Sequence, residues 1–174
     1  MRAVEPVDGK LQCRICGEWK PLEKLQKSKV SKYGRMRRCG ACSSKELMVR
    51  YSQSPEKFLH FIGTGLYRSS KQFGAKSKRS AESFSREMLT GPKLMALWES
   101  QGGRCAWTGL EMTHVLGAGR QWRNASIDRI DPSKGYEDGN VRLVCVAVNL
   151  MRREMNDDEF LAWAKLVVRS GKPL

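Results

Sequence analysis

Four cysteines in two close pairs constrain this chain more than any other feature. Cys13 and Cys16 form one C-x2-C, Cys39 and Cys42 a second, and 22 residues separate the pairs. A two-residue spacing lets both thiolates of a pair converge on one metal from a tight turn, and two such turns supply the four sulfur ligands of a structural zinc site. Gly17 and Gly40 follow or interrupt the pairs, where a knuckle favours a residue free to take positive φ. Four thiolates leave no open coordination position, so the expected Zn2+ folds a module over residues 1–45 and takes no part in chemistry. The alternative is four reduced cysteines that only pack together.

The 174 residues, 40% of them hydrophobic, suffice for one ordinary core or two small ones. The formal charge of +14 points to a strongly negative partner, with DNA the leading expectation and RNA left open. That charge is uneven. Residues 1–90 carry 20 basic and 8 acidic side chains, or +12, and residues 91–174 carry 12 and 10, or +2. Between the cysteine pairs lie Lys24, Lys27, Lys29, Lys32, Arg35, Arg37 and Arg38, interleaved with Tyr33 and Gly34, a surface suited to phosphates. Arg2 is followed by Glu5 and Asp8 and not by an apolar run, and no stretch is apolar enough to span a bilayer. The expectation is a cytoplasmic protein with no membrane partner.

Residues 46–90 read as a basic helical linker. Pro55 follows Ser54 at a helix start, and Phe58, Phe61, Ile62 and Leu66 recur with a period near 3.6 residues. His60 falls within this helix and is expected to be partly buried, without a chemical role. The stretch from Ser69 to Arg86, rich in serine, lysine and arginine, reads as a segment that orders on DNA.

Past residue 90 the pattern becomes a helix, a turn, two strands and two helices. Pro92 opens the first helix, with Leu94, Leu97 and Trp98 facing inward and Gly102-Gly103 ending it. Arg104 to Gly109 reads as a strand entering a turn, followed by a polar loop with His114, Arg120 and Arg123. Ser126 to Pro132 makes a short strand stopped by proline, and Asn140 to Cys145 a second that runs into a helix carrying Asn149, Arg152 and Arg153. In the last helix Asn156 and Glu159 are spaced as a capping box, and Phe160, Trp163, Ala164 and Val167 form a stripe expected in the core.

The order Asp128, Asn140, Asn149 resembles the HNH, or ββα-metal, nuclease family over roughly residues 91–169. Members of phage or mobile-element type carry similar zinc-knuckle leaders. The resemblance implies a divalent cation, Mg2+ or Mn2+, held by Asp128 and Asn149, with Asn140 pinning the loop between the strands. It implies a metal-dependent endonuclease that hydrolyses DNA phosphodiester bonds, in host-cell cytoplasm if phage-encoded. Arg152 and Arg153 would join Lys27, Lys29, Lys32, Arg35, Arg37 and Arg38 in gripping the nucleic acid.

One position departs from the family. Arg129 stands where the general-base histidine is expected, and a guanidinium stays charged at neutral pH and can only stabilise phosphate. Asp131, placed by period two on the side of Arg129, and His114, on the loop between the strands, are the candidate replacements. Cys105 and Cys145 stand where relatives carry further C-x2-C pairs, but Thr108 and Val148 replace their partners, so both are expected to be reduced and buried. The fold class expected is α+β, with a zinc module over 1–45, a basic helical linker over 46–90 and an HNH-like domain over 91–174. The rival is a catalytically silent HNH-fold protein that binds DNA or regulates.

Overall fold

A computed structural model describes residues 5–73 and 89–171. Most of the serine-rich basic stretch between Ser69 and Arg86, including Lys76, Lys78 and Arg79, lies outside the described residues. The chain is α+β with small two-stranded sheets, and divides into two compact units, Met1–Arg50 and Tyr51–Leu174.

In the first unit β1 (Lys10–Gln12) pairs antiparallel with β2 (Trp19–Pro21), and β3 (Leu25–Lys27) with β4 (Arg35–Cys39). A 3-10 turn at Leu22–Lys24 links the hairpins, and α1 (Gly40–Tyr51) follows β4. Strands of three to five residues cannot bury much, and the buried cluster here is Leu11, Cys13, Leu25 and Cys39, two of them cysteines. A core so small needs a further source of cohesion.

In the second unit α2 (Pro55–Phe73) starts where the Ser54 hydroxyl accepts from the Lys57 amide. Its Phe58 and Leu59 lie in the unit's main core beside Leu94 of α3 (Gly91–Ser100). Close approach near α3 requires a glycine. A Cβ on Gly63 would run into the Leu89 carbonyl oxygen and sit 2.8 Å from Leu94 Cδ1. His60 is exposed, not partly buried as the sequence reading has it, because Phe58 and Leu59 take the core-facing positions.

Strands β5 (Ala125–Arg129) and β6 (Val141–Cys145) pair antiparallel, followed by α4 (Val146–Arg152) and α5 (Asp157–Ser170). Ala125 and Ile127 of β5, with Val141 and Leu143 of β6, are buried in the core. By alternation Ser126 and Asp128 face the other way, and there α4 covers them: Asn149 bonds to Ser126, and Arg152 to Asp128. Apolar Ala125 and Ile127 alternate with polar Ser126 and Asp128 along β5, yet Asp128 is buried as well, because α4 covers its face.

Three local expectations are corrected. Arg104 to Gly109 forms no strand; only an isolated bridge, Arg104 to Glu111, marks it, because the segment curls back so that the Gly109 amide reaches the Cys105 carbonyl. The α5 stripe is only partly core: Phe160 is buried, but Trp163 is 61% and Val167 67% exposed, since the helix runs on beyond what it packs against. Gly40 has no positive φ, whereas Gly17 does, at +73°, because Gly40 starts α1 and Gly17 closes the knuckle turn. Both halves of the Asn156–Glu159 capping box are present. Cys105 and Cys145 are buried free thiols, the Cys145 amide donating to Cys105 Sγ.

Candidate functional site

The first constellation is the four-cysteine cluster. Cys13 directly follows β1, Cys16 sits in the turn to β2, Cys39 ends β4, and Cys42 lies in the first turn of α1. Each element is short, yet together they bring the four Sγ atoms within 4.8 Å of one another. Backbone amides already point at the sulfurs: Cys39 N lies 3.4 Å from Cys13 Sγ and Cys42 N 3.5 Å from Cys39 Sγ. The Cys16 amide beside Cys13, working against burial, draws that thiol down to about 6, whereas the hydrogen bond with Cys39 pushes Cys42 up to about 12. Four convergent sulfurs with amide donors behind them fit a tetrahedral Zn2+. No water position remains, so the group's chemistry here is structural.

The second constellation lies on the α4 side of β5 and β6. Asn140 staples the intervening loop: its Oδ1 accepts from the Asp131 amide at 2.8 Å, and its Nδ2 donates to the carbonyls of Asp131 at 3.1 Å and Gly135 at 2.8 Å. The staple sets the β5–β6 register in which Asp128 stands directly opposite Arg142. Arg142 Nε then donates to Asp128 Oδ2 at 2.9 Å, and Arg152 Nη1, from the end of α4, donates to Oδ1 at 2.9 Å.

Both arginines also reach Asp157 in the first turn of α5. Arg142 makes a bidentate pair with it at 2.7 and 2.6 Å, and Arg152 Nε donates at 3.1 Å. Asp128, Arg142, Asp157 and Arg152 thus close a four-membered, charge-neutral ring. Arg152 adds bonds to the Arg129 and Ile130 carbonyls, and is 0% exposed. The sequence reading that set Arg152 on a nucleic-acid surface is therefore corrected: the partners of a buried carboxylate have drawn it inside. Hydrogen bonds from Arg142, opposed by burial, hold the Asp157 carboxyl below its ordinary value.

Asn149 meets β5 earlier, its Nδ2 donating to Ser126 Oγ at 2.7 Å and to the Ile127 carbonyl at 3.2 Å. Ser126 and Asp128 are two residues apart on the strand, a separation of about 7 Å. Each Asp128 oxygen already accepts from a guanidinium, and Asn149 presents Nδ2, not the oxygen that would ligate, to β5; a carboxylate neutralised by two arginines and an amide turned this way do not, as arranged, fit a shared Mg2+ or Mn2+.

The remaining candidates are engaged as well. Arg129 lies under Tyr136, its Cζ 5.5 Å from the ring centroid, donates to the Pro132 carbonyl at 2.7 Å and pairs with Glu154 at 3.2 Å. Asp131 Oδ1 accepts from the Ser133 amide and hydroxyl, which holds its carboxyl below the usual range and makes it a weaker base. His114 Nδ1 lies 3.1 Å from the Ser52 carbonyl, an arrangement that requires the proton on Nδ1, and its ring sits between those of Phe58 and Trp98 at 6.4 Å from each.

In the first unit Arg35 and Arg37 donate to the Leu25 and Gln12 carbonyls, Arg38 pairs with Glu46, and Lys32 with Glu5. Lys27 and Lys29 are exposed, as is Arg153 in the second unit. Arg142 and Asp157 are the members of the charged ring that sequence reasoning missed. The signal for Arg142 was its place one residue past Val141 on the partner strand, legible only once the register is known; for Asp157 there was none, since the capping box already accounted for the acidic turn.

No family model matches this chain, and no curated protein does. Among solved structures the chain is similar to that of the rare-cutting HNH restriction endonuclease PacI, described for its mechanism of DNA perturbation, at 14% identity and a TM-score of 0.36, over 91% of this chain and 94% of that one.

Proposed function

We propose that this protein is a DNA-acting nuclease of the HNH type, with a zinc-folded N-terminal module that grips the phosphate backbone. The observation that carries the reading is the β5–stapled loop–β6–α4 unit, in which Asn140 fixes the loop while Asp128 and Asn149 lie on the helix-covered side of one strand. The chain's +14 charge and the exposed Lys27, Lys29 and Arg153 supply the attraction to a polyanion. The resemblance calls for Mg2+ or Mn2+ at Asp128, where an ion would compete with two guanidiniums for the same carboxylate charge.

A second reading, a silent HNH scaffold that binds DNA, is favoured by one specific observation: the neutral ring that already satisfies Asp128, alongside Arg129 in the position of the base. Incubation of the purified protein with plasmid DNA and Mg2+ or Mn2+ separates the two, beside Asn149→Ala and the Asp128→Ala, Asn149→Ala double variant. Metal-dependent cleavage that is lost in folded Asn149→Ala supports the nuclease. Cleavage surviving the double variant overturns the assigned site, and DNA binding without cleavage in either metal overturns the nuclease in favour of the scaffold.

A further inference from the structure

Outside the ring and the zinc cluster, the second unit holds an exposed indole that neither accounts for. Trp122 is 56% exposed, on the loop that leads into β5. Its backbone is tied from several directions: the Trp122 carbonyl accepts from the Ala147 amide at 3.1 Å, the Arg123 carbonyl from Thr113 at 2.9 Å, and Asn124 N donates to the Gln121 carbonyl at 3.1 Å. The Arg123 guanidinium is occupied too, with the Glu111 carbonyl at 2.8 Å. A large aromatic ring is thus held out to solvent on a fixed backbone.

What surrounds the ring has a definite chemistry. Arg120 Cζ lies 5.6 Å from the indole centroid, and a cleft of about 470 Å³ opens beside it, lined by Arg120, Trp122, Ala147, Leu150, Met151 and Arg153. The floor is apolar, the rim carries two arginines, and no carboxylate lines it. Arg153 gives a second, independent sign. It is a non-glycine residue at φ +54°, just past the end of α4, where glycine is usual, so the fold keeps an arginine at the rim against its backbone preference.

We propose that this cleft binds an unpaired nucleobase of single-stranded nucleic acid, the base stacking on Trp122 over the apolar floor while Arg120 and Arg153 contact the flanking phosphates. An indole with an apolar floor beside it and two cations among the lining matches a nucleotide and mismatches an acidic peptide, whose carboxylates lack an aromatic face for the indole. A duplex offers phosphates but no open base face, so the cleft discriminates by strandedness. Neither Asp128 nor Asn149 lines the cleft, and binding there is measurable without cleavage.

The test is binding, measured without added divalent cation so that it is read separately from nuclease activity. Fluorescence anisotropy is followed with labelled oligo-dT, labelled oligo-U and a duplex of matched length. The expected result is that Trp122→Ala weakens single-strand binding about tenfold or more while the duplex changes little, and that Trp122→Phe restores most of it. Arg153→Gly relieves the left-handed backbone, so it should melt no lower than the parent chain, yet it should weaken single-strand binding and reduce the salt slope by about 0.7. Equal loss for dT and U assigns the site to the base and not the sugar, and a larger loss for one names the natural strand. Single-strand affinity within twofold of the parent in both Trp122→Ala and Arg153→Gly, equal losses for single strand and duplex in Trp122→Ala, or concentration-dependent self-association abolished by Trp122→Ala overturns the proposal.

Discussion

Replacement of Asp128 by alanine tests whether its carboxylate belongs to the fold or waits for an ion. Asp128 is 3% exposed and accepts from two guanidiniums at 2.9 Å each, one of them on a fully buried arginine. Removing one partner of a buried pair costs about 3–5 kcal/mol, because the other charge is left uncompensated. Here Asp157 still holds both arginines and two carbonyls still hold Arg152, so the lower end applies, about 3 kcal/mol. For a unit of this size that lowers the melting temperature by roughly 10 °C. Urea and thermal unfolding of Asp128→Ala and Asp128→Asn in metal-free buffer, with zinc retained, measure it. The opposite sign is expected of a waiting ion ligand: a buried carboxylate without a cation is a desolvated charge, and its loss stabilises. A variant as stable as the parent, or more stable, refutes the ring.

Three further outcomes are expected. Elemental analysis should find about one zinc per chain, as one four-thiolate site requires, and a strong chelator should melt the first unit, whose buried cluster is otherwise Leu11, Leu25 and two cysteines. The Asp157 carboxyl is held below its ordinary 3.8 mainly by Arg142, so its stabilising contribution is present above that pH and is lost as pH falls through the lower folded value; the melting temperature should drop in that acid range, and less so in Asp157→Asn. Gly63→Ala should destabilise the second unit by about 1–3 kcal/mol in urea, since its Cβ meets backbone at Leu89, which cannot swing away as a side chain can.

The sequence was most legible where local rules act alone. Paired cysteine spacing located the Sγ cluster, Ser54-Pro55 the start of α2, and Asn156 with Glu159 the cap of α5, because each signal needs only neighbours in the chain. It was less legible where a residue's fate depends on what lies across the sheet. Arg152 read as a surface cation because arginines on short helices usually are, and nothing within the sequence pairs it with Asp128 and Asp157. The α5 stripe read as core because periodicity gives the direction of an apolar face but not how far the opposing surface extends; Phe160 reaches it and Val167 does not. Likewise Trp122 carried no periodic signal, since its position is set by hydrogen bonds to α4 and not by its own segment.

That same ring bears on how any loss of activity should be interpreted. Asp157 anchors the start of α5 to Arg142 and Arg152, so every ring residue couples the last helix to β5 and β6, and a substitution in the ring can abolish cleavage through the fold alone. Asn149 is free of this ambiguity: it is half-buried, its side chain bonds Ser126 and Ile127 among the described residues, and its loss leaves all four ring charges paired. Asn149→Ala should therefore cost no more than about 2 kcal/mol, the usual worth of two lost neutral hydrogen bonds. Whatever it does to cleavage then reports on chemistry. A large fall in stability for Asn149→Ala would show instead that the amide is a structural tie like its neighbours, and would leave this face of the sheet with no side chain whose role is separable from folding.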